Sequence, residues 1–374
     1  MLLKLYGRFS MSNSIVADVV LGLQHGDEGK GKVTHHLLKS GEYNYCLRFN
    51  GGGNAGHTIY HNGRKFVTHY IPSGVFHGIK SIIGPGCVVN LKKLRQECQE
   101  LIDNGIDIKG NLFVDKRVHI TTDQHLIEDS KDSESDWSNS KIGTTKSGNG
   151  PTYRDKYERS GRTFGNIIEH LESITGVDNT GHLYNFMKTM VIDVYEEFHN
   201  GNLNTILCEG AQGFELDIDW GDYPFVTSSH CGIGSVCLNG IPPQSIRNVY
   251  GVVKAYETYV GAKAFQDYDD VLLEQLQREG DERGATTGRD RQTNYLHLPR
   301  LMRAIKMNGI THLIVNKCDI FEKVSQEHDS FCWKNKMDQS VGFTKFEDWK
   351  TLIRNAVMPL GVNKISFSFS PHEI

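Results

Sequence analysis

The residues with the most evident chemistry in this 374-residue chain lie in VVLGLQHGDEGKGK, Val19 to Lys32. Gly22, Gly26, Gly29 and Gly31 follow the first apolar run. A glycine loop there, leading into a helix, lets backbone N–H groups point at phosphate oxygens. Gly26 to Lys32 fits the G-x-x-x-x-G-K part of a phosphate loop, but Val33 stands where Ser or Thr would give Mg²⁺ a hydroxyl. A metal ligand must then come from elsewhere, and Asp27, inside the loop, is the obvious carboxylate. The same glycines would also serve a plain strand-to-helix turn. A second glycine loop, NGGGNAGHT at Asn50 to Thr58, presents Asn54, His57 and Thr58. An imidazole on such a turn suits a general acid or a phosphate contact, although a lone His is more often packed or solvated.

Other loops carry complementary groups. IGTTKSGNGP, Ile142 to Pro151, pairs two threonines, and YPFVTSS, Tyr223 to Ser229, adds three hydroxyls. CEGAQG, Cys208 to Gly213, follows a predicted strand and offers Gln212 to a base edge or an amide. GATTGRDR, Gly284 to Arg291, joins two threonines to Arg289 and Arg291. Guanidinium forks bind carboxylates bidentately, so this loop suits a small dicarboxylate, or else is an ordinary surface turn. VNKCD, Val315 to Asp319, ends a predicted strand as a guanine reader would: the Asp accepts from N1–H and the exocyclic amine, and the Lys packs over the ring. Together with the phosphate loop upstream it places a guanine nucleotide across the strand ends.

The elements that must position these groups are legible from periodicity. Short apolar runs at Ala17 to Leu21, Tyr45 to Phe49, Leu112 to Val114, Thr205 to Cys208, Val249 to Val253 and His312 to Val315 read as buried strands. Helical spacing appears at Leu91 to Ile102, His182 to Phe198, Leu298 to Met307 and Phe346 to Val357. Strands alternating with helices predict a largely parallel α/β sheet covered on both faces. Residues 14–374 read as one such domain with inserted lobes, preceded by an extension, 1–13, expected to be disordered. Glu128 to Gly150, acidic and then Ser/Gly/Thr-rich, reads as solvated loop in its acidic half.

Composition narrows the function. The charges, 41 Lys+Arg against 45 Asp+Glu, leave a net −4 and no basic stripe for nucleic acid, and no stretch approaches the ~20 apolar residues of a membrane span. Eight cysteines without a CxxC or CxxH pair favour reduced thiols in a cytosolic protein over a disulfide frame or a zinc site. Glycine is abundant at 39 residues, and 15 of these fall in five windows, 22–32, 51–58, 143–151, 209–213 and 284–291, so the surplus belongs to the loops just described.

Taken in order, GDEGKGK, GGGNAGHT, GTT…GP, EGAQG, YPFVTSS, GATTGR and NKCD closely resemble the adenylosuccinate synthetase family, from about Asp18 to Asp319. The resemblance implies a P-loop-NTPase-like fold, a homodimer, and GTP- and Mg²⁺-dependent ligation of L-aspartate to IMP in the cytoplasm. It implies that Asp27 is the general base toward IMP and a Mg²⁺ ligand, with the Gly56 carbonyl as the other protein ligand. His57 would be the acid assisting phosphoryl transfer, with Lys30 and Gln212 also at the reacting centre. IMP would be held by Asp27, Lys30, Asn54, Thr145, Gln212, Thr227 and Arg289, and by Arg159 reaching across to the partner subunit's site. GTP would meet Gly26, Glu28, Gly29, Lys30, Gly31, Lys32, Gly56, His57, Thr58, Arg291, Lys317, Asp319 and Ser368, and aspartate Thr286, Thr287, Arg289 and Arg291.

Several positions depart from the family pattern. Gly53 replaces the first His of GGHNAGHT, Ser147 an Arg, GAKAFQD a GPFPT stretch after Tyr256, and Ser370 and Glu373 a Gly and an Arg in the segment that closes on guanine. Two alternatives follow from the resemblance: a phage-type synthetase using dGMP and ATP, or a GTP-binding protein that has lost the ligase chemistry. The loop carboxylate Asp27, which phage relatives typically lack, favours IMP, and Thr287 with Arg289 argues against a simple GTPase.

Overall fold

In the computed structural model, which describes residues 15–131, 142–173, 181–267, 270–284 and 288–374, nine short strands form one sheet. In chain order they are β1 (Ile15–Gly22), β2 (Tyr45–Arg48), β3 (Lys80–Ile83), β4 (Leu112–Asp115), β5 (Val191–Ile192), β6 (Asn204–Glu209), β7 (Ile246–Lys254), β8 (His312–Asn316) and β9 (Lys364–Phe367). Their order across the sheet is β9-β8-β7-β1-β6-β2-β3-β4-β5, and every pairing is parallel. β1 and β2 are buried almost throughout, the pattern of strands covered by helices on both faces. Because the strands are parallel, the segments leaving their C-terminal ends all gather at one edge. β1 lies in the middle: β2 to β6 lie on one side and β7 to β9 on the other, so the edge beside β1 is where an α/β sheet opens a crevice.

Two inserted lobes border that edge. A hairpin pairs His57–His61 with Arg64–Thr68, and a four-stranded sheet is built from Tyr256–Tyr259, Gln292–His297, Phe331–Lys334 and Ser340–Phe343. The helix Phe346–Val357 follows the expected spacing to the residue, burying Phe346, Trp349, Ile353 and Val357 along one stripe. Trp349 meets Phe321 and Phe346 at ring-centroid distances of 4.9 and 5.7 Å, anchoring that lobe on the main core. A second core holds Leu94, Leu101, Val114, Phe164 and Ile168 on the β3–β4 side.

The six expected strands are present, while β3, β5 and β9 are additions that their short, mixed sequences did not signal. One expectation is corrected: His182 to Phe198 is not a single helix. It breaks into a helix Gly181–Lys188, the strand β5 and a helix Val194–Phe198. The β-branched pair Val191–Ile192 adds to the free edge of β4. Asp193 then starts a new helix, its carboxylate accepting from the Tyr195 N–H. The proposed extension 1–13 and most of the acidic half of the 128–150 segment lie outside the described residues. No helix among the described residues is long and apolar enough to cross a membrane.

Candidate active site

The chain leaves β1 at Gly22 and turns back into the helix α1 (Lys30–Leu38). The turn is shaped by its own acid. Glu28 is buried, and its Oε1 accepts from the Gln24 and Gly26 N–H groups at 3.1 and 2.9 Å while Oε2 accepts from Lys30 Nζ at 2.5 Å. The Glu28 side chain is therefore committed to the loop, and any nucleotide contact falls to its backbone. A Cβ on Gly22 would come within 2.4 Å of Glu28 Oε2, and Gly29 holds φ +95° at the N-terminus of α1. Glycine is required at both, by close approach in one case and by left-handed backbone in the other. Asn316, the first residue of NKCD, donates from Nδ2 to the Glu28 carbonyl at 2.7 Å, so the end of β8 is tied to the phosphate loop.

This loop forms one wall of a cleft of about 1170 Å³. Gly26 to Lys32, Asn54, Gly56, His57, Thr58, Thr145, Gln212, Thr227, Arg291, Lys317 and Asp319 all line it, so the fold collects residues spread over nearly 300 positions. Gln212, with φ +55°, donates from Nε2 to Asn54 Oδ1 at 2.9 Å, and Asn54 donates to Thr227 Oγ1 at 3.3 Å. Gln212 Oε1 is buried with no partner among the described residues, an acceptor for a ligand N–H. Thr145 Oγ1 is 2.7 Å from Ser147 Oγ. Arg289 donates from both terminal nitrogens to the Gly143 carbonyl at 3.1 Å, joining the GATTGR and GTT loops. Lys317, with φ +62°, donates to the Gly280 carbonyl at 2.7 Å.

Two acids missed by the sequence reading organise the reactive groups. Glu209 ends β6 and is wholly buried; it accepts from Ser73 N–H and Oγ at 2.7 and 2.8 Å and forms a short hydrogen bond with His57 Nδ1. Burial would raise the Glu209 pKa, but His57 and Arg48 beside it bring it down to about 2. Burial, followed by Arg48, lowers the pKa of His57. The imidazole turns Nδ1 to Glu209 and leaves Nε2, which has no partner among the described residues, for a ligand. A charged residue closing an otherwise apolar strand was the available signal for Glu209. Glu282 gave none: it accepts from Lys254 Nζ at 2.8 Å, Tyr256 Oη at 2.7 Å and Arg291 Nη1 at 2.6 Å. Burial works against its charge, yet Lys254 and Arg291 hold its pKa at about 2. Arg291 also donates from Nε to Asp27 Oδ2 at 2.8 Å.

Arg289 and Ser368 are not on the cleft lining itself, though each bonds to a residue that is, Gly143 and Lys32; two further groups of expected residues are not in this assembly. Arg159 caps the C-terminus of the helix Asn149–Glu158 with φ +65° and is exposed, away from the cleft lining. Thr286 and Thr287 lie outside the described residues.

A glycine loop of the phosphate-binding pattern, the NKCD turn and a buried His–Glu dyad around one crevice are the arrangement expected of a nucleotide-dependent α/β enzyme. The adenylosuccinate synthetase family profile matches residues 19–180 and 175–341. An adenylosuccinate synthetase of Phocaeicola vulgatus is 39% identical over 333 residues, 82% of this chain and 78% of that protein, and one of Paramecium tetraurelia is 38% identical over 329 residues, 80% of this chain and 76% of that one. The structure of the fully ligated enzyme from Plasmodium falciparum superposes with a TM-score of 0.77 at 28% identity, covering 95% of this chain and 97% of that one. A cyanophage S-2L succinoaminodeoxyadenylate synthetase bound to dGMP and dATP shares the fold, with a TM-score of 0.70 at 18% identity over 96% of this chain and 93% of that one. The chain belongs to the adenylosuccinate synthetase family; it is a ligase that forms a C–N bond.

Proposed function

We propose that the chain joins L-aspartate to IMP at the expense of GTP, through 6-phosphoryl-IMP, yielding adenylosuccinate, GDP and phosphate, and that it works as a cytoplasmic homodimer. The observation that carries this reading is that Asp27, His57 and the phosphate loop face one cleft whose wall also holds the NKCD turn.

The chemistry demands this convergence. The lactam oxygen O6 of a hypoxanthine is a weak nucleophile and a poor leaving group. A carboxylate at Asp27 that takes the N1 proton moves charge onto O6, which then attacks the γ-phosphorus of GTP. Lys30 and the backbone N–H groups at the start of α1 stabilise charge on the transferring phosphoryl group. His57 acts as the acid: in its imidazolium form Nε2–H donates to the oxygen on which phosphate charge builds, and Glu209 on Nδ1 steadies that imidazolium. The purine is oriented by Asn54, Gln212, Thr227 and Thr145, with Arg159 reaching the partner subunit's IMP. Lys317 and Asp319 read guanine. Thr286, Thr287, Arg289 and Arg291 hold the aspartate carboxylates, so its amine attacks C6 in an effectively intramolecular step and phosphate leaves.

The Asp27 carboxylate and the Gly56 carbonyl, both on the cleft wall, are hard oxygen donors of the kind Mg²⁺ takes. Bound there, Mg²⁺ would neutralise phosphate charge.

The test is phosphate release by the purified chain, with GTP or ATP, IMP or dGMP, and aspartate supplied singly and together. Release requiring GTP, IMP and aspartate together supports the proposal. Release from GTP alone makes the chain a GTPase, and dependence on dGMP makes it a phage-type enzyme.

A further inference from the structure

Lys32 closes the G-x-x-x-x-G-K motif, which suggests a phosphate ligand. The structure directs its ammonium elsewhere. Lys32 Nζ donates to Ser368 Oγ at 2.7 Å, to the Ser370 carbonyl at 3.0 Å and to the Glu373 carbonyl at 3.2 Å. An ammonium has three donors, and all three are taken by one segment of chain. Burial, opposed by Asp319, lowers the Lys32 pKa to about 8, so at neutral pH the group is still mostly protonated.

The segment held in this way is a turn folded around Ser368. Ser368 Oγ donates to the Glu373 carbonyl at 2.6 Å, the His372 N–H donates to Ser370 Oγ at 3.1 Å, and the Ser368 carbonyl accepts from the Cys318 N–H at 3.1 Å. The His372 ring meets Tyr60 edge-on at 4.9 Å. Ser370 and Pro371 face the cleft, as do Lys317 and Asp319 of the NKCD turn.

We infer that Lys32 is a positioning residue: it clamps segment 368–373 into place as the wall of the cleft that encloses the nucleotide base, and leaves the phosphates to Lys30 and the loop backbone. This rests on the reading that a nucleoside triphosphate occupies this end of the cleft. A phosphate-binding lysine contributes to any polyphosphate, whereas a clamp contributes only to ligands that carry a base. Ser370 and Glu373, which differ from the family pattern, lend the clamp their backbone carbonyls, a contact that tolerates changes of side chain.

Wild type, Lys32→Met and Ser368→Ala are compared by titration with GTP and with inorganic tripolyphosphate in 0.15 M salt. Lys32→Met should weaken GTP about tenfold and raise its KM with a smaller effect on kcat, while tripolyphosphate affinity changes by less than about threefold, since the three donors of Lys32 are already taken by segment 368–373. Ser368→Ala should show the same pattern, more weakly. Equal weakening of GTP and tripolyphosphate would return Lys32 to the phosphates and overturn the inference. Carboxypeptidase digestion without nucleotide is independent of the ligand: residues 370–374 should be released several-fold faster from folded Lys32→Met than from wild type, and an unchanged rate also overturns the clamp. If wild type binds tripolyphosphate but not GTP, the reading of this end as a base site fails, while the digestion still decides whether Lys32 holds the segment.

Discussion

At the scale of single residues, the site depends on side chains held by acids that take no direct part. Asp27 is presented on a left-handed backbone, φ +58°, in a loop gathered by Glu28, and its neighbour Arg291 is held from behind by Glu282. Asp27→Asn keeps the shape of the side chain and one acceptor oxygen, which can still take the Arg291 Nε–H, and removes its basicity. It should retain IMP binding by calorimetry while phosphate release falls by about 10²–10⁴-fold, the usual contribution of a general base. Near-normal turnover would show that the N1 proton goes to another group. The residues with chemistry of their own, Asp27, His57 and Gln212, were legible because glycine loops advertise them. Glu209 and Glu282 were not, since a buried carboxylate acquires its role only from the cations and donors folded around it.

At the scale of elements, the phosphate loop and the NKCD turn behave as one unit. Gly29 makes this tight: a Cβ there would lie 2.8 Å from Asn316 Nδ2, the atom that bonds to the Glu28 carbonyl, and φ is +95°. Gly29→Ala combines a left-handed alanine, costing about 1–2 kcal/mol, with displacement of Asn316. The expected result is a loss of GTP affinity of tenfold or more with far-ultraviolet dichroism unchanged. Wild-type affinity in the folded variant would show that the two loops act separately. Elements with a long single period, such as Phe346–Val357, were read to the residue. The segment 182–198 was not, because its apolar positions suit a helix until the edge of β4 competes for Val191 and Ile192.

At the scale of the whole molecule, the nine parallel strands bring loops from residues 22 to 319 to one edge, while Arg159 is exposed and is not on the cleft lining. In the homodimer proposed above, a second subunit would give that arginine its ligand. Arg159→Leu should leave the chain folded and dimeric by sedimentation while raising the KM for IMP about tenfold, in keeping with loss of a charge-assisted contact to phosphate. An unchanged KM would remove the cross-subunit contact from the scheme.

The amino-acid sequence by itself determined the kind of protein this is: seven ordered motifs, the glycines within them and the alternation of apolar strands with helices are local properties, set by backbone freedom and side-chain period. Tertiary structure decided what those motifs do to one another. It turned Glu28 inward, set Glu209 behind His57, placed Arg291 between Asp27 and Glu282, and drew the three donors of Lys32 onto segment 368–373. Each of these is a contact between charged or polar groups, two of them more than 250 residues apart in the chain, and such a pairing exists only once the fold has removed the water that would otherwise satisfy both partners.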